Sequence, residues 1–256
     1  MDALVALARR LERAQAAQND RLTRAAGGQS MPLGGGFAHC RGEGHPLNQA
    51  LGLVAPVRED ELAAVEAVLG AGGFPVVLEV SPAADASLWP LLAARGYRVH
   101  QFQQLLSRPL DSTTPQPPAV DVRPVPVDQA DLFNRLVFAG FTDNDTWRES
   151  PSPFAMPLDV DGISAVMAFV DGEPVAGGVL GMVDGVALLS GDAVLPAARG
   201  RGLQKALIAA RLHTARTAGC DIACASTAPS TASQRSFESC GFRVTYPKLE
   251  MARGGD

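Results

Sequence analysis

The apolar positions of this chain change period several times, and each change marks an element. Ile163 to Val170 and Pro174 to Met182 are short apolar runs containing glycine, joined through Asp171-Gly172, a pair that accepts left-handed backbone angles, and they predict a hairpin. Asp184-Gly185 repeats that turn signal before a third strand, Val186 to Leu195. From about Gly202 to Ala218 the period lengthens, and Leu203, Ala206, Leu207 and Ala210 share one face of a long helix. A strand over Asp221 to Ser226, a helix over Ala232 to Ser239 stopped at Gly241, and a closing strand over Phe242 to Leu249 complete the series. Ahead of the hairpin the pattern predicts a short strand, Val120 to Arg123, and a helix from Gln129 to Phe138.

Upstream the same order returns in weaker form. At an offset of 145 residues Gly96-Tyr97-Arg98-Val99 lies over Gly241-Phe242-Arg243-Val244, Ser81 over Ser226 and Ala83 over Ala228. The strand Val76 to Val80 then covers Asp221 to Ala225, and the helix Leu88 to Arg95 covers the helix leading to Cys240. Strand meets strand and helix meets helix, as a duplication requires. Asp111-Ser112-Thr113-Thr114-Pro115-Gln116-Pro117-Pro118 continues neither helix nor central strand. We therefore expect three parts: residues 1–108, a proline-rich linker at 109–118, and residues 119–256.

Composition narrows the class. The 256 residues are 46% hydrophobic and 19% charged with a formal net charge of −5, which describes a folded, soluble protein rather than a disordered or fibrous one. Of the 22 basic residues only Lys205 and Lys248 are lysines, which we read as codon bias. No basic stripe is present, so nucleic acid is not an expected partner. The chain has no uncharged apolar run of membrane-spanning length, and the Arg-rich amphipathic segment Leu4 to Arg13, with Asp2 and Glu12 beside and within it, reads as an ordinary first helix. Cys40, Cys220, Cys224 and Cys240 are too scattered for a disulfide scaffold, and a cytoplasmic location is expected.

Chemistry concentrates in Pro196-Ala197-Ala198-Arg199-Gly200-Arg201-Gly202-Leu203-Gln204-Lys205, between a predicted strand and the long helix. Two glycines permit a tight turn, the first helical amides have no intrahelical partner, and the helix dipole with Arg199 and Arg201 favours an anion, above all a pyrophosphate. Neither the Walker A pattern nor the Rossmann Gly-x-Gly-x-x-Gly fits. Other constellations are discounted. His39, Cys40 and His45 lack a fourth ligand, so no metal is expected. Cys220 and Cys224 read as buried thiols, and Asp159-Val160-Asp161-Gly162 is only the opening of a calcium loop.

Arg199-Gly200-Arg201-Gly202-Leu203-Gln204 resembles the coenzyme A loop of GNAT-type N-acetyltransferases, Arg/Gln-x-x-Gly-x-Gly/Ala, departing at Gln204. The element order across residues 119–256 is similar to the family fold. The resemblance implies a mixed α/β (α+β) GNAT fold, two tandem GNAT-like domains with the first degenerate, and acetyl-CoA as cofactor. It implies a cleft between the strands Val186 to Leu195 and Asp221 to Ser226. There Ala193 and Val194 would line the cofactor arm, the Val194 amide would polarise the thioester carbonyl, and Ser230 and Phe237 would lie beside the cofactor.

A tyrosine often found four residues before the late glycine is Phe237 here, and Ser230 replaces a frequent asparagine. Ser230, Ser233 and Tyr246 are the candidate proton donors, unassisted departure of the thiolate is the other route, and Asp192 is the candidate base. Asp143, Asp145 and Trp147 are candidates for holding a cationic amine. Residues 1–108 have no arginine-glycine cradle, and Glu59, Asp60 and Glu61 stand where phosphate would sit, so that half is expected to be cofactor-free and structural. Losing it is expected to cost folding or acceptor recognition. The function expected is acetyl transfer to a primary amine of a small molecule or peptide in a ternary complex, with a noncatalytic acyl-CoA-binding module as the rival. Acceptor identity and oligomeric state stay open.

Overall fold

Helix α1 (Asp2–Ala25) precedes the hairpin β1 (Gln29–Leu33) and β2 (Gly36–Cys40), then β3 (Gln49–Leu51), α2 (Glu59–Leu69), β4 (Val76–Val80), α3 (Leu88–Ala94) and β5 (Arg98–Pro109). The chain continues through β6 (Val122–Pro124), α4 (Ala130–Thr142), β7 (Ile163–Val170), β8 (Glu173–Val183), β9 (Val186–Val194), α5 (Leu203–Thr217), β10 (Ile222–Thr227), α6 (Ala232–Ser239) and β11 (Arg243–Arg253). The structure is a computed structural model describing residues 2–111, 114, 120–149, 152 and 156–254. Most of the expected linker at 109–118 therefore lies outside the described residues. Among the described residues no helix is long and apolar enough to cross a membrane.

The chain divides into two compact units, Met1–Leu105 with Val244–Asp256, and Leu106–Arg243. In the first, the strands lie in the order β1-β2-β3-β4-β11 and the chain's last strand pairs antiparallel with β4, from Leu249 opposite Val80 to Arg253 opposite Val76. That pairing carries β11 past the predicted Leu249. One face of this sheet is apolar: Leu62, Val65 and Leu69 of α2 and Leu88 and Leu92 of α3 cover Leu33, Ala38, Ala50, Leu78 and Met251.

A buried polar cluster lies in the same unit. Lys248 Nζ, fully buried, lies 2.5 Å from Glu79 Oε2, 3.2 Å from Glu12 Oε1 and 2.9 Å from Gln15 Oε1, and Tyr246 donates to Glu12 Oε1 at 2.8 Å. Burial works against the Lys248 charge, but Glu79 and Glu12 together hold its ammonium above the usual lysine range.

In the second unit the order is β10-β9-β8-β7-β6. Its two hairpins turn through Asp171-Gly172 (φ 52° and 82°) and Asp184-Gly185 (φ 48° and 77°), the left-handed pairs that the sequence calls for. β7 and α6 occupy their predicted residues, and β8, β9 and β10 differ by a residue at their ends. Ile208 and Leu212 of α5 and Phe237 of α6 pack with Leu106, Leu189, Ala223 and Phe242 into one core. The helix predicted to stop at Phe138 runs on to Thr142, and Gly140 within it faces β9 at a distance only glycine permits. A Cβ there would stand 2.8 Å from Ala193 Cβ and 3.1 Å from the Val194 nitrogen.

The predicted repeat is visible in geometry. Helix α3 ends at Gly96 (φ 78°) and α6 at Gly241 (φ 86°). Each glycine is followed by a buried aromatic residue, Tyr97 or Phe242, and then by a long strand.

Candidate active site

β9 and β10 run parallel and pair from Val186 with Ile222 to Leu188 with Cys224. Beyond that register β9 continues to Val194 and β10 to Thr227. The two strands part over the segment that holds Ala193 and Val194. Leu195 donates to the Val175 carbonyl at 2.9 Å and Ala176 faces Val194, so Val194 sits at a non-hydrogen-bonded position of the β8 ladder. Its amide and carbonyl are therefore directed away from β8. This is the geometry required of an amide that meets a ligand beside the strand.

A short 3-10 turn, Pro196–Ala198, links β9 to the glycine loop. Gly200 and Gly202 take φ of 79° and 74°, and a Cβ at either would meet nothing within 4 Å, so the loop presents bare backbone. Gly202 is the residue before α5, whose first intrahelical bond runs from Ala206 N to Gly202 O at 3.1 Å. The amides of Leu203, Gln204 and Lys205 thus precede the helical ladder and aim outward. Leu203 buries its side chain, Arg201 is exposed, and Gln204 Nε2 donates to Ser233 Oγ at 3.2 Å, tying the first turn of α5 to that of α6. The departure at Gln204 is thereby absorbed by a side-chain contact. Open glycines, outward amides and an exposed arginine fit a pyrophosphate-bearing cofactor.

Arg199 is already engaged. Its guanidinium forms an ion pair with Asp143, donates to Gly140 O at 3.0 Å, and donates through Nε to Val194 O at 3.2 Å. Asp143 is the left-handed cap of α4 (φ 53°), and hydrogen bonding to Arg199 holds its carboxyl below the usual range. A cation on the last carbonyls of a helix is favourable in itself. Asp143, a candidate for holding an amine, is paired with Arg199 here.

Asp192 is likewise occupied. Its carboxylate, 6% exposed, pairs with Arg211 of α5, whose side chain is fully buried. Burial pushes the Asp192 carboxyl up while Arg211 pulls the other way. Asp192, the candidate base, is thus neither solvent-facing nor without a partner. Trp147 is buried against Leu136 and Ala139, and Arg148 stands 4.6 Å over its ring, which leaves no face for a ligand cation. Asp145 is exposed on the turn after α4. Phe237 is 2% exposed and meets Phe242 edge to face at 5.0 Å, a core position rather than a cofactor contact. Ser230 is exposed with φ 63°, and its amide donates to Gln234 Oε1 at 2.6 Å. Tyr246 belongs to the first unit and is spent on Glu12.

Sequence reasoning missed Arg211 and Gly140. Arg211 comes four residues after Leu207 on the apolar face of α5, where a charge needs a buried partner, and Gly140 interrupts a helix without ending it. In the first unit the helix after β3 opens on Glu59, Asp60 and Glu61, with Arg58 paired to Asp60 at 3.1 Å and Glu61 at 3.0 Å. That start carries the wrong charge for phosphate.

A mixed sheet whose parallel strands part beside a helix opening on bare glycine backbone is the arrangement of the GNAT fold. Residues 131–242 match the model of the acetyltransferase (GNAT) family. The fold is shared with a GCN5-related N-acetyltransferase from Kribbella flavida (TM-score 0.64, 18% identity, covering 92% of this chain and 96% of that one). It is shared also with a tandem GNAT protein from the clavulanic acid biosynthesis pathway (TM-score 0.56, 16% identity, covering 88% and 82%). The chain matches no curated protein by sequence.

Proposed function

We propose that the protein is an acetyl-CoA-dependent N-acetyltransferase acting on a primary amine of a small molecule or peptide by direct attack in a ternary complex. The observation that carries this reading is the parting of β9 from β10 after Leu188 at a strand end whose register directs Val194 away from β8, a few residues before the Arg199–Gly202 loop. The amides of Leu203, Gln204 and Lys205, with Arg201, hold the pyrophosphate, and Ala193 and Val194 line the pantetheine arm.

Bound acetyl-CoA supplies a thioester that the neutral amine attacks, with carbon–sulfur cleavage and release of the thiol. The Val194 amide meets the carbonyl oxygen as negative charge gathers there. Asp192 is committed to Arg211, so the amine proton passes to solvent rather than to a side chain. Ser233, whose oxygen accepts from Gln204, keeps a hydroxyl proton to offer the leaving sulfur. Where it does not act, the moderate pKa of a thiol lets the thiolate leave unassisted. Ser230 stands nearby in sequence as the second hydroxyl. The first unit, with acids at the start of α2, takes no cofactor. A cytoplasmic location belongs to this reading, because Cys40, Cys220, Cys224 and Cys240 are too scattered along the chain for a disulfide scaffold.

Thiol release from acetyl-CoA, monitored against a panel of amines, tests the reading. Release that depends on an amine supports it. Tight coenzyme A binding with no amine-dependent release under any condition replaces it with a noncatalytic acyl-CoA-binding module, the alternative that the buried Phe237 favours.

A further inference from the structure

The β8–β9 ladder breaks register once. Gly177 faces Ala193 and Val179 faces Ser190, so the stretch of β9 between those pairs holds one residue more than that of β8, and Gly191 takes a left-handed φ of 64° to accommodate it. Such a bulge leaves ladder groups without their regular partners and re-aims the strand beyond it. In β9 the re-aimed stretch is the Ala193–Val194 segment.

One side chain gathers the bulge. Arg211 Nη1 donates to Val179 O at 2.8 Å and to Ser190 O at 3.3 Å, the carbonyls of the facing pair that closes one end of the bulge. Both terminal nitrogens hold the Asp192 carboxylate within the bulge, and Nε returns to Leu207 O at 3.0 Å in its own helix. The guanidinium occupies the space a side chain at position 178 would need: a Cβ on Gly178 would lie 2.7 Å from Arg211 Cζ. A fork of fixed donors suits this task, which a lysine's single ammonium does not reproduce.

We infer that Arg211 is a positioning residue that fixes the β9 bulge, and with it the Val194 amide, relative to α5 and the glycine loop at its start. Arg211 lies eight residues from Leu203, about 12 Å along the helix at 1.5 Å per residue. Helix α5 thus carries the loop at one end and grips the strand carrying the reacting amide further along. The functional consequence rests on the acyl-CoA reading above, whereas the clamp itself does not.

Gly178→Ala displaces the guanidinium without removing a charge, and Arg211→Lys keeps the charge without the fork. Should either fail to fold, the pair Asp192→Asn with Arg211→Met removes both buried charges together and leaves no orphan ion. Hydrogen exchange is measured in peptides covering residues 189–195 and in α5. Coenzyme A affinity is measured by calorimetry, and turnover with the best amine of the panel. The expected result in a folded variant is exchange at least tenfold faster across 189–195 with α5 unchanged. Coenzyme A affinity and the KM for acetyl-CoA stay within threefold while kcat falls tenfold or more. Unchanged exchange across 189–195 overturns the clamp, and equal losses in kcat and coenzyme A affinity overturn the positioning role. If the parent protein binds neither coenzyme A nor acetyl-CoA, the acyl-CoA reading falls, and the exchange data still decide the clamp.

Discussion

Arg199 forms an ion pair with Asp143, joining the residue after the short turn at the end of β9 to the left-handed cap of α4. Together with its bonds to Gly140 O and Val194 O, this commits the first arginine of the loop to holding two elements together. Arg201, exposed two residues on, is the arginine left to meet phosphate. Arg201→Ala is expected to weaken coenzyme A binding about tenfold, the worth of one charge-assisted contact, with the difference shrinking as salt rises. Arg199→Ala is expected to weaken it less and to lower the melting temperature more. Calorimetric titration at two salt concentrations, beside thermal melts, checks the pair, and a reversed order would mean that Arg199 turns toward the cofactor.

Gly140 predicts a sign opposite to helix propensity. In an exposed helix Gly→Ala stabilises by about 1 kcal/mol. Here the added Cβ would stand 2.8 Å from Ala193 Cβ and 3.1 Å from the Val194 nitrogen, and overpacking costs about 1–3 kcal/mol. Gly140→Ala is expected to lower the melting temperature and, on the proposed role of the Val194 amide, to reduce turnover more than coenzyme A affinity, because the displaced group is the strand edge at that amide. A stabilised variant with full turnover would show that α4 yields freely.

The parts legible in the sequence are those set by local rules. Asp171-Gly172 and Asp184-Gly185 had to be turns, Ala232 to Ser239 had to end at Gly241, and Arg199 to Gly202 had to be bare backbone before a helix, because each depends on a few neighbouring residues. What stayed hidden depends on partners far along the chain. Asp192 and Trp147 offered the right chemistry by type, yet Arg211 and the core around Leu136 decide what they do. Tyr246 follows α6 and so falls with the second half by sequence order, whereas pairing of β11 with β4 places it in the first unit. Non-local pairing leaves little trace in a single sequence.

His39 makes the first unit sensitive to acid. The ring is 1% exposed in β2 and shares a 3.1 Å hydrogen bond with Ser30. Burial, with Arg41 and Arg24 adding to it and Asp20 opposing, lowers its pKa from 6.5 to about 4. The unfolded chain therefore takes up this proton first. Stability from the neutral ring is fully present above about pH 6.5 and is lost as pH falls toward 4, amounting to about 2 kcal/mol by pH 5 at 1.36 kcal/mol per unit. Urea unfolding from pH 7.5 to 5 is expected to show a falling midpoint that His39→Gln, which has nothing to titrate, makes shallower. Parallel pH profiles would assign the acid sensitivity elsewhere.

Phe237 tests where the end of α6 points. Its place in the chain invites a hydroxyl, and a tyrosine there would be the obvious donor to a leaving thiolate if the side chain reached the parted strands. Instead the ring lies edge to face with Phe242 at 5.0 Å, in the core that contains Ile208, Leu212 and Ala223. An added hydroxyl would enter an apolar interior without a partner, at a cost of about 1–3 kcal/mol. Phe237→Tyr is expected to lower the melting temperature and to leave amine-dependent thiol release no faster at any pH. A tenfold gain in turnover without loss of stability would show that the ring turns out of the core, and the donor role would pass from Ser233 to position 237. With the ring held inside, the proposed reaction is left with Ser233 in the first turn of α6 or with water to protonate the sulfur, and a Ser233→Ala variant with a smaller acid-side limb in its pH profile would separate those two.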